Sequence, residues 1–568
     1  MISNAEIFGS RSLLLGGTPQ RFAWREIVSE HGLACLTGGV LAASIALGGA
    51  TRNGYPGDVL LQFLAIILLI AALRDIVLSG SVRHFKWPLI FLGSLALVPM
   101  VQLLPLPAEL WSRLPGRAII LQTYALIGQP RPAFPLSLTP SATYLSGLAL
   151  LPPAAVFLGT LTLGYAHRRS VSFVLIAMGI VSVLLGLLQL AQGPNSALRF
   201  YEITNKTEAV GFFANRNHFA ALLYVATLFV AAHLIDAIGI MGQRTPRRRA
   251  DANVAVPLLT WLTALLMLTA AQLMARSRAG LVLTDLALAA TIAVGMTDRR
   301  IATSNPGFGR LIVGTAAGII LLLLPLALYR ILDRFGADPF ADARISFARK
   351  TISAALQYMP FGSGLGSFVP VYQLYEKTSD LGLTYANHAH NDILEVWLET
   401  GIFGIALMGV FGVWIVRRTN SLWNDGSGVI HGIDLGLARA ASVAVFLLLA
   451  HSFVDYPLRT TAMMTVAAVA LAFLIKPAKL LGRQNLRHGT RRRPRNSSQQ
   501  GSPPAHDPLP GGSNDGSSQL PSAREVWVPR GEWPEAWRPV AAPSRPRIPA
   551  QPDDATTFAE HLERDRAG

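Results

Sequence analysis

Apolar runs of about 17–25 residues, the length that crosses a bilayer core, recur along most of the chain. They predict twelve membrane spans, near residues 33–50, 58–78, 87–104, 144–164, 171–190, 213–238, 254–274, 279–296, 311–329, 393–416, 436–453 and 457–475. The connections that follow even-numbered spans are short and basic: Arg83 and Lys86, Arg168-Arg169, Arg244 with Arg247-Arg248-Arg249, Arg299-Arg300, Arg417-Arg418, then the run that opens at Lys476. Positive-inside bias makes these cytoplasmic, together with both termini. The odd connections then face outward. Residues 105–143 form a proline-rich one, 191–212 a second, and 330–392 the longest, which is expected to fold as a small external domain.

Within that longest loop the polar–apolar pattern changes period. Ile345, Ala348, Ile352, Ala355 and Leu356 fall at helical spacing beside Arg344, Arg349 and Lys350, which predicts an amphipathic helix along the membrane surface. Gly362-Ser363-Gly364-Leu365-Gly366 predicts a tight turn, because glycine reaches backbone conformations closed to other residues. Beyond about residue 484 the chain turns rich in Pro, Ser, Gly and Arg with few aliphatic clusters, the composition of a disordered tail. The organisation read from the pattern is a cytoplasmic N-terminal segment 1–32, a membrane domain 33–475, and a basic, then disordered, cytoplasmic tail 476–568.

Composition agrees with a membrane protein. Hydrophobic residues make up 51% of the 568 and charged residues only 14%, against about 25% charged in soluble domains. The fold class is therefore all-α and polytopic. A net charge of +16 would suit nucleic acid, but the basic residues sit in short clusters between apolar runs, so membrane lipids are the expected charged partner and no nucleic acid is. The start of the tail is expected to lie against anionic headgroups. A single cysteine, Cys35, excludes an intramolecular disulfide and a cysteine-based metal cluster. The polar start carries Glu26 and Glu30 and has no short apolar core of a cleavable signal.

Candidate chemistry gathers on the outward side. Arg216 lies at the start of the sixth span, Arg276 and Arg278 in a short helix–helix connection, and Arg344, Arg349 and Lys350 on the external segment. Ionisable groups at membrane depth mark function by default; the alternative is snorkelling to headgroup phosphates. Arginine forks match phosphate oxygens, so a phosphorylated lipid suits them. A diphosphate leaving group held in this way needs no general acid. What remains is a group to orient or deprotonate an attacking hydroxyl, for which His390 is the natural candidate.

His390 belongs to the block Asn387-His388-Ala389-His390-Asn391-Asp392, which runs directly into an apolar span. Asp392 followed by Glu395 resembles a capping box with Asp392 as N-cap. Asp392, Glu395 and Glu399 share one helical face; the plain alternative is an acid stripe that holds basic residues of the external domain. His388 and His390 could bind a metal with Asp338 and Asp342, but two histidines are too few alone, and neither metal nor cofactor is expected. The outward island 451–457, with His451 and Asp455, is either a support for the site or a plain turn.

Four stretches together resemble the O-antigen ligase and Wzy-type polymerase family of bacterial envelope glycosyltransferases: Gly211-Phe-Phe-Ala-Asn-Arg-Asn-His-Phe-Ala220, Ser277-Arg-Ala-Gly-Leu281, Gly362-Ser-Gly-Leu-Gly-Ser-Phe368, and His388-Ala-His-Asn-Asp-Ile-Leu-Glu395 leading to Glu399-Thr-Gly-Ile-Phe-Gly404. The resemblance implies a GT-C-like helical fold with a large periplasmic loop in the inner membrane. It implies a donor glycan on undecaprenyl diphosphate and, as acceptor, lipid A–core or another lipid-linked glycan. It places the family's histidine at His390 and one arginine at Arg278, with Arg216 a looser match and Arg276 its substitute. Glu395 joins His390 and Arg278 as a catalytic candidate; His388, Asn391 and Arg349 join Arg216 and Arg276 as substrate-binding candidates. The ligase pattern of His-Asn, nine residues, Gly, three residues, then Gly, Thr or Tyr is met through Gly401 but ends on Ile405, which leaves ligase and polymerase open. Two other classes compete. A lipid-linked glycan flippase would carry charges at mid-span or broken helices, and a sensor would carry a folded output domain.

Overall fold

The computed structural model describes residues 19–52, 54–244, 252–297, 314, 317–321, 339–377, 385–424, 430 and 432–478. The expected span 311–329 is covered only at 314 and 317–321. The clusters 247–249 and 299–300, Asp338, the loop stretches 330–338 and 378–384, and the tail from 479 lie outside the described residues.

The described chain is helical nearly throughout. In order run α1 (Pro19–Leu47), α2 (Pro56–Leu78), α3 (Lys86–Gln102), α4 (Ala108–Trp111), α5 (Ala118–Leu126), α6 (Pro140–Leu148), α7 (Leu151–Thr162), α8 (Tyr165–Gln192), α9 (Arg216–Gly242), α10 (Ala252–Ala275), α11 (Arg278–Met296), α12 (Pro339–Gln357), α13 (Phe368–Gln373), α14 (Asp392–Trp423), α15 (Ile433–His451) and α16 (Thr461–Phe473). Nine candidate spans are long and apolar enough to cross a membrane among the described residues, α6 and α7 counting together as one, and α3 and α16 are shorter apolar helices. At about 1.5 Å per residue, α16 is roughly 20 Å long and falls short of a core about 30 Å thick. The last expected span, 457–475, is thus a short helix behind a 3₁₀ turn, Pro457–Arg459. α1 begins at Pro19, so the boundary expected at residue 32 falls inside a helix. The proline-rich connection holds a strand pair, Pro105–Leu106 antiparallel to Phe134–Pro135.

α9 is the axis of the bundle. Nearly every side chain from His218 to Gly239 is buried, packed by α8, α10, α11 and α15. A helix apolar on all sides suits either lipid or a protein interior; here it is the interior. Its first turn carries Arg216, Asn217 and His218, which brings these polar residues to the centre of one end of the bundle, hereafter the site end. At the opposite end Arg168 is buried. Its Nε donates to the carbonyls of Thr160 and Leu163, Nη1 to Ala472 and Ile475, and Nη2 to Leu161, at 2.6–3.1 Å. The residue expected as a topology signal therefore also caps the last carbonyls of α7 and α16, groups that have no partner inside their own helices.

α14 is interrupted at Gly401, whose φ of +59° and ψ of −142° break the helical run. The glycine-rich turn of the sequence fills this break. Ser363 and Gly364 donate their N–H groups to the carbonyls of Leu398 and Glu399, and Ile402 donates to the carbonyl of Pro360, all at 2.9 Å. Gln102 Nε2 also donates to the Glu399 carbonyl at 2.9 Å. Gly362, at φ +80°, lies so close to α14 that a Cβ there would fall 2.6 Å from the Glu399 carbonyl carbon and oxygen. Gly362→Ala therefore combines a left-handed backbone penalty of about 1–2 kcal/mol with a clash against backbone. A fall in thermal midpoint of several degrees in detergent is expected; an unchanged midpoint would show that the turn does not support α14.

α12 forms where amphipathic periodicity predicts it, with the two faces differently used. Thr351, Ala354, Ala355 and Tyr358 are buried with Phe368, Tyr372 and Leu398. Ile345, Ile352 and Leu356 remain exposed, as does Arg349. Ala355, read as part of the membrane-facing stripe, belongs to the packed face instead.

Candidate active site

Three pieces of chain converge at the site end: the start of α9, the start of α14, and the turn between α15 and α16. Asn391 joins two of them. Its Oδ1 accepts from the N–H groups of Ile393 (3.1 Å) and Leu394 (3.0 Å), and its Nδ2 donates to the Phe453 carbonyl at 2.9 Å. Asn391 is therefore the N-cap of α14, and Asp392 is not. Both residue types cap helices well, so the sequence leaves the register open by one. Asp392 points inward. Its N–H donates to the Ser452 carbonyl at 2.9 Å, and its carboxylate accepts from Ser452 Oγ at 2.7 Å and from the Leu458 N–H at 3.3 Å.

The acid stripe of α14 closes on one cation from the third piece, Arg459. Its Nη1 lies 2.7 Å from Glu399 and 3.5 Å from Glu395, and its Nε 3.5 Å from Asp392. Burial disfavours the charged guanidinium, but three carboxylates outweigh that and hold its proton more firmly than usual. The stripe does hold a basic residue, though not one from the external loop. Glu395 also accepts from the Ala389 N–H at 2.9 Å and faces His388 Nδ1 at 2.8 Å. Its carboxylate is thus engaged with Arg459, His388 and the backbone.

His388 is a structural partner. Its Nε2 faces the Thr51 carbonyl at 3.0 Å while Nδ1 faces Glu395. Two acceptors suit an imidazolium. Burial pushes the ring's pKa down from 6.5, the Glu395 carboxylate pushes it up, and the net direction is up. The group therefore adds stability that is fully present below about pH 6.5 and is lost as pH rises through the higher folded-state value. The thermal midpoint of the wild type should fall across that upward interval, and His388→Gln should flatten the fall. Equal pH slopes for the two proteins would remove the imidazolium from the account.

His390 has different surroundings. It holds φ at +51°, uncommon for a non-glycine residue. Nδ1 lies 3.1 Å from Asp455 Oδ1, and 24% of the His390 side chain is exposed against 1% for Asp455. Asp455 also accepts from the Tyr456 N–H at 3.0 Å and from Asn217 Nδ2 of α9. Burial raises the Asp455 pKa, but the His390 bond and the nearby imidazoles hold it well below the usual carboxylate range. A carboxylate on Nδ1 fixes that nitrogen as the donor and leaves Nε2 as the basic one; Nε2 makes no hydrogen bond among the described residues. The ring stacks on Phe347 of α12 (5.9 Å) and meets Tyr456 edge-on (4.9 Å). Tyr456 also contacts the rings of His388 (4.3 Å) and His218 (5.0 Å), so one tyrosine spaces three histidines.

Two of the arginines stand at helix starts at this end of the bundle. Arg216 is the first residue of α9, its neighbour Asn217 is bonded to Asp455, and its guanidinium pairs with Glu208. Arg278 is the first residue of α11, behind the N-cap Ser277, whose Oγ accepts from the Gly280 N–H at 3.1 Å. Arg276, exposed at φ +50°, forms the bend before it. Gln272 donates to the Ala220 carbonyl at 3.0 Å, and Ala209 N–H donates to the Met274 carbonyl at 3.2 Å. A Cβ on Gly280 would sit 2.5 Å from that of Ala220. These close contacts bring the starts of α9 and α11, with Arg216, Arg276 and Arg278, to the same end of the bundle. Arg349 is two residues from Phe347, hence on another helical face, and is exposed.

Among the described residues, no group of three or more His, Cys, Asp or Glu is placed to hold a metal ion. Arg459 was not singled out from the sequence; Tyr456 lay in the outward island 451–457 and Asn217 in the stretch 211–220, neither with a role of its own. Arg459 carried the same signal as Arg216 and Arg278, a cation in an outward connection, but it sat in a turn read as the start of a span.

Residues 262–409 match a family described as O-antigen ligase. The matched stretch contains Arg276, Arg278, the glycine-rich turn, His388, His390 and the acid stripe; Arg216 and Asp455 lie outside it. No curated protein matches the chain.

Proposed function

We propose that this multi-pass membrane protein, which carries the O-antigen ligase family region at 262–409, transfers a glycan from undecaprenyl diphosphate to an acceptor hydroxyl at the periplasmic face of the inner membrane. The observation that carries the reading is His390: a partly exposed imidazole with Nδ1 held by a buried carboxylate and Nε2 without a hydrogen bond among the described residues.

In this reading Arg278 and Arg216, with Arg276 at the bend, hold the diphosphate oxygens. The acceptor oxygen attacks the anomeric carbon while the bond from that carbon to the phosphate oxygen breaks. The acceptor's proton passes to His390 Nε2, and the imidazolium formed is stabilised by Asp455. The diphosphate leaves as an anion neutralised by the arginines, and His390 later releases its proton to water. Asn391 and Asp392 fix the position of His390, while Glu395 holds His388 and Arg459. The exposed Ile345, Ile352 and Leu356 of α12 rest on the outer leaflet beside the acceptor. The acceptor is lipid A–core for a ligase and a second lipid-linked glycan for a polymerase.

His390→Ala and Arg278→Ala should each lower transfer by about 10²-fold or more while the protein inserts normally. Undiminished polymer on a gel from either variant would sink the site assignment. The flippase reading draws on the break in α14, but the Leu398 and Glu399 carbonyls there are taken by Ser363, Gly364 and Gln102 and are not open to a passing ligand. Donor accumulating on the cytoplasmic leaflet in these variants would favour the flippase.

A further inference from the structure

The partner of Arg216 is not a substrate group but a carboxylate of the protein itself. Glu208 pairs with the Arg216 guanidinium, with side-chain exposures of 12% and 35%. The loop that presents Glu208 is held from several directions. Arg199 Nη1 donates to the carbonyls of Asn205 (2.6 Å) and Glu208 (3.0 Å). Asn205 Oδ1 accepts from the Arg216 N–H at 2.9 Å, and Thr207 Oγ1 donates to Glu208 Oε2 at 2.9 Å. One residue on, Ala209 N–H donates to the Met274 carbonyl, two residues before Arg276. Val210 and Gly211 donate to Gln189 Oε1, at 3.2 and 3.0 Å. The Glu208 backbone is thus pinned between the start of α9 and the bend that carries Arg276 and Arg278. Its carboxylate occupies the Arg216 guanidinium.

We infer that Glu208 is a built-in competitor for the diphosphate: its carboxylate occupies Arg216 in the empty site, is displaced when the donor's diphosphate enters, and takes the guanidinium back as the diphosphate product leaves. This rests on the transferase reading and adds a residue that sets affinity and release. A carboxylate carries one negative charge and a diphosphate carries more, so the exchange favours the diphosphate and disfavours weaker anions such as a monophosphate. After transfer the freed diphosphate still faces the arginines, and the returning carboxylate offsets the loss of that attraction. Neither step makes or breaks a covalent bond.

The test is binding of undecaprenyl diphosphate, without glycan, to the purified full chain in detergent, beside the Glu208→Gln variant. Glutamine keeps the shape and the contact with Thr207 but removes the competing charge. The dissociation constant should fall about threefold to fivefold, a change of about 1 kcal/mol or less. The inhibition constant of the same compound in the transfer assay should fall by the same factor. Unchanged or weaker binding by Glu208→Gln overturns the inference. If wild type and variant both bind no diphosphate, the transferase reading itself fails. Should Glu208→Gln not fold, Glu208→Asp, one methylene shorter and so withdrawn from Arg216, should tighten binding in the same direction; weaker binding there would overturn the inference as well.

Discussion

Asp455→Asn should slow glycan transfer by on the order of 10² to 10⁴ while leaving the fold intact. The substitution is close to isosteric, and the local hydrogen bonds can be re-formed. The new amide oxygen can still accept from the Tyr456 N–H and from His390 Nδ1, the two bonds now made by Oδ1. Asn217, which donates to the other oxygen, can turn its own amide over and present an acceptor. What is lost is the charge. Without it the His390 imidazolium formed during transfer has no buried counter-ion, and its tautomer is no longer fixed by a carboxylate. Asp455→Asn should therefore lower the turnover number more than it changes the Michaelis constant for donor, with a thermal midpoint near that of the wild type. A variant that transfers at the wild-type rate would separate Asp455 from the chemistry.

Arg459→Leu should fail at an earlier stage, in folding. The arginine is the shared counter-ion of Asp392, Glu395 and Glu399, and all three carboxylates are buried. Breaking a buried pair by removing one partner costs about 3–5 kcal/mol, out of the 5–15 kcal/mol that typically hold a domain together. The first turns of α14 also carry the Asn391 cap and the backbone of His390, so loosening them would disperse the site. Little folded Arg459→Leu protein should be recovered on size exclusion in detergent. Neutralising the nearest acid as well, in Arg459→Leu with Glu399→Gln, should recover part of the loss. Wild-type yield from the single variant would mean that the cluster is not needed for the fold.

The apolar pattern made most helices legible, because a chain in lipid must satisfy its backbone internally and the helix is the local way to do so. It could not tell that α9 faces protein on all sides, since lipid and protein interior ask for the same residues. It could not place the break in α14 either: Gly401 was visible as part of a motif, but only the approach of Gly362 gives it a reason. At the candidate site, the polar block that holds His390 was legible from its position between loop and span and from the family resemblance. His388 and His390 look alike in sequence and differ through partners far along the chain, Glu395 with Thr51 for one and Asp455 for the other. Arg459 and Asp455 lie more than 60 residues from the block they complete. No local spacing rule connects residues so far apart; packing does.

The proposed function stands on transfer from a lipid diphosphate through His390. The most direct measurement uses purified full-length protein, undecaprenyl-diphosphate glycan, and two acceptors in competition, lipid A–core and a second lipid-linked glycan. The wild type should join glycan to one of them and release undecaprenyl diphosphate in equal amount, and His390→Ala should give neither product. Transfer that persists in His390→Ala, or a wild type that moves the donor between leaflets and joins it to nothing, would contradict it.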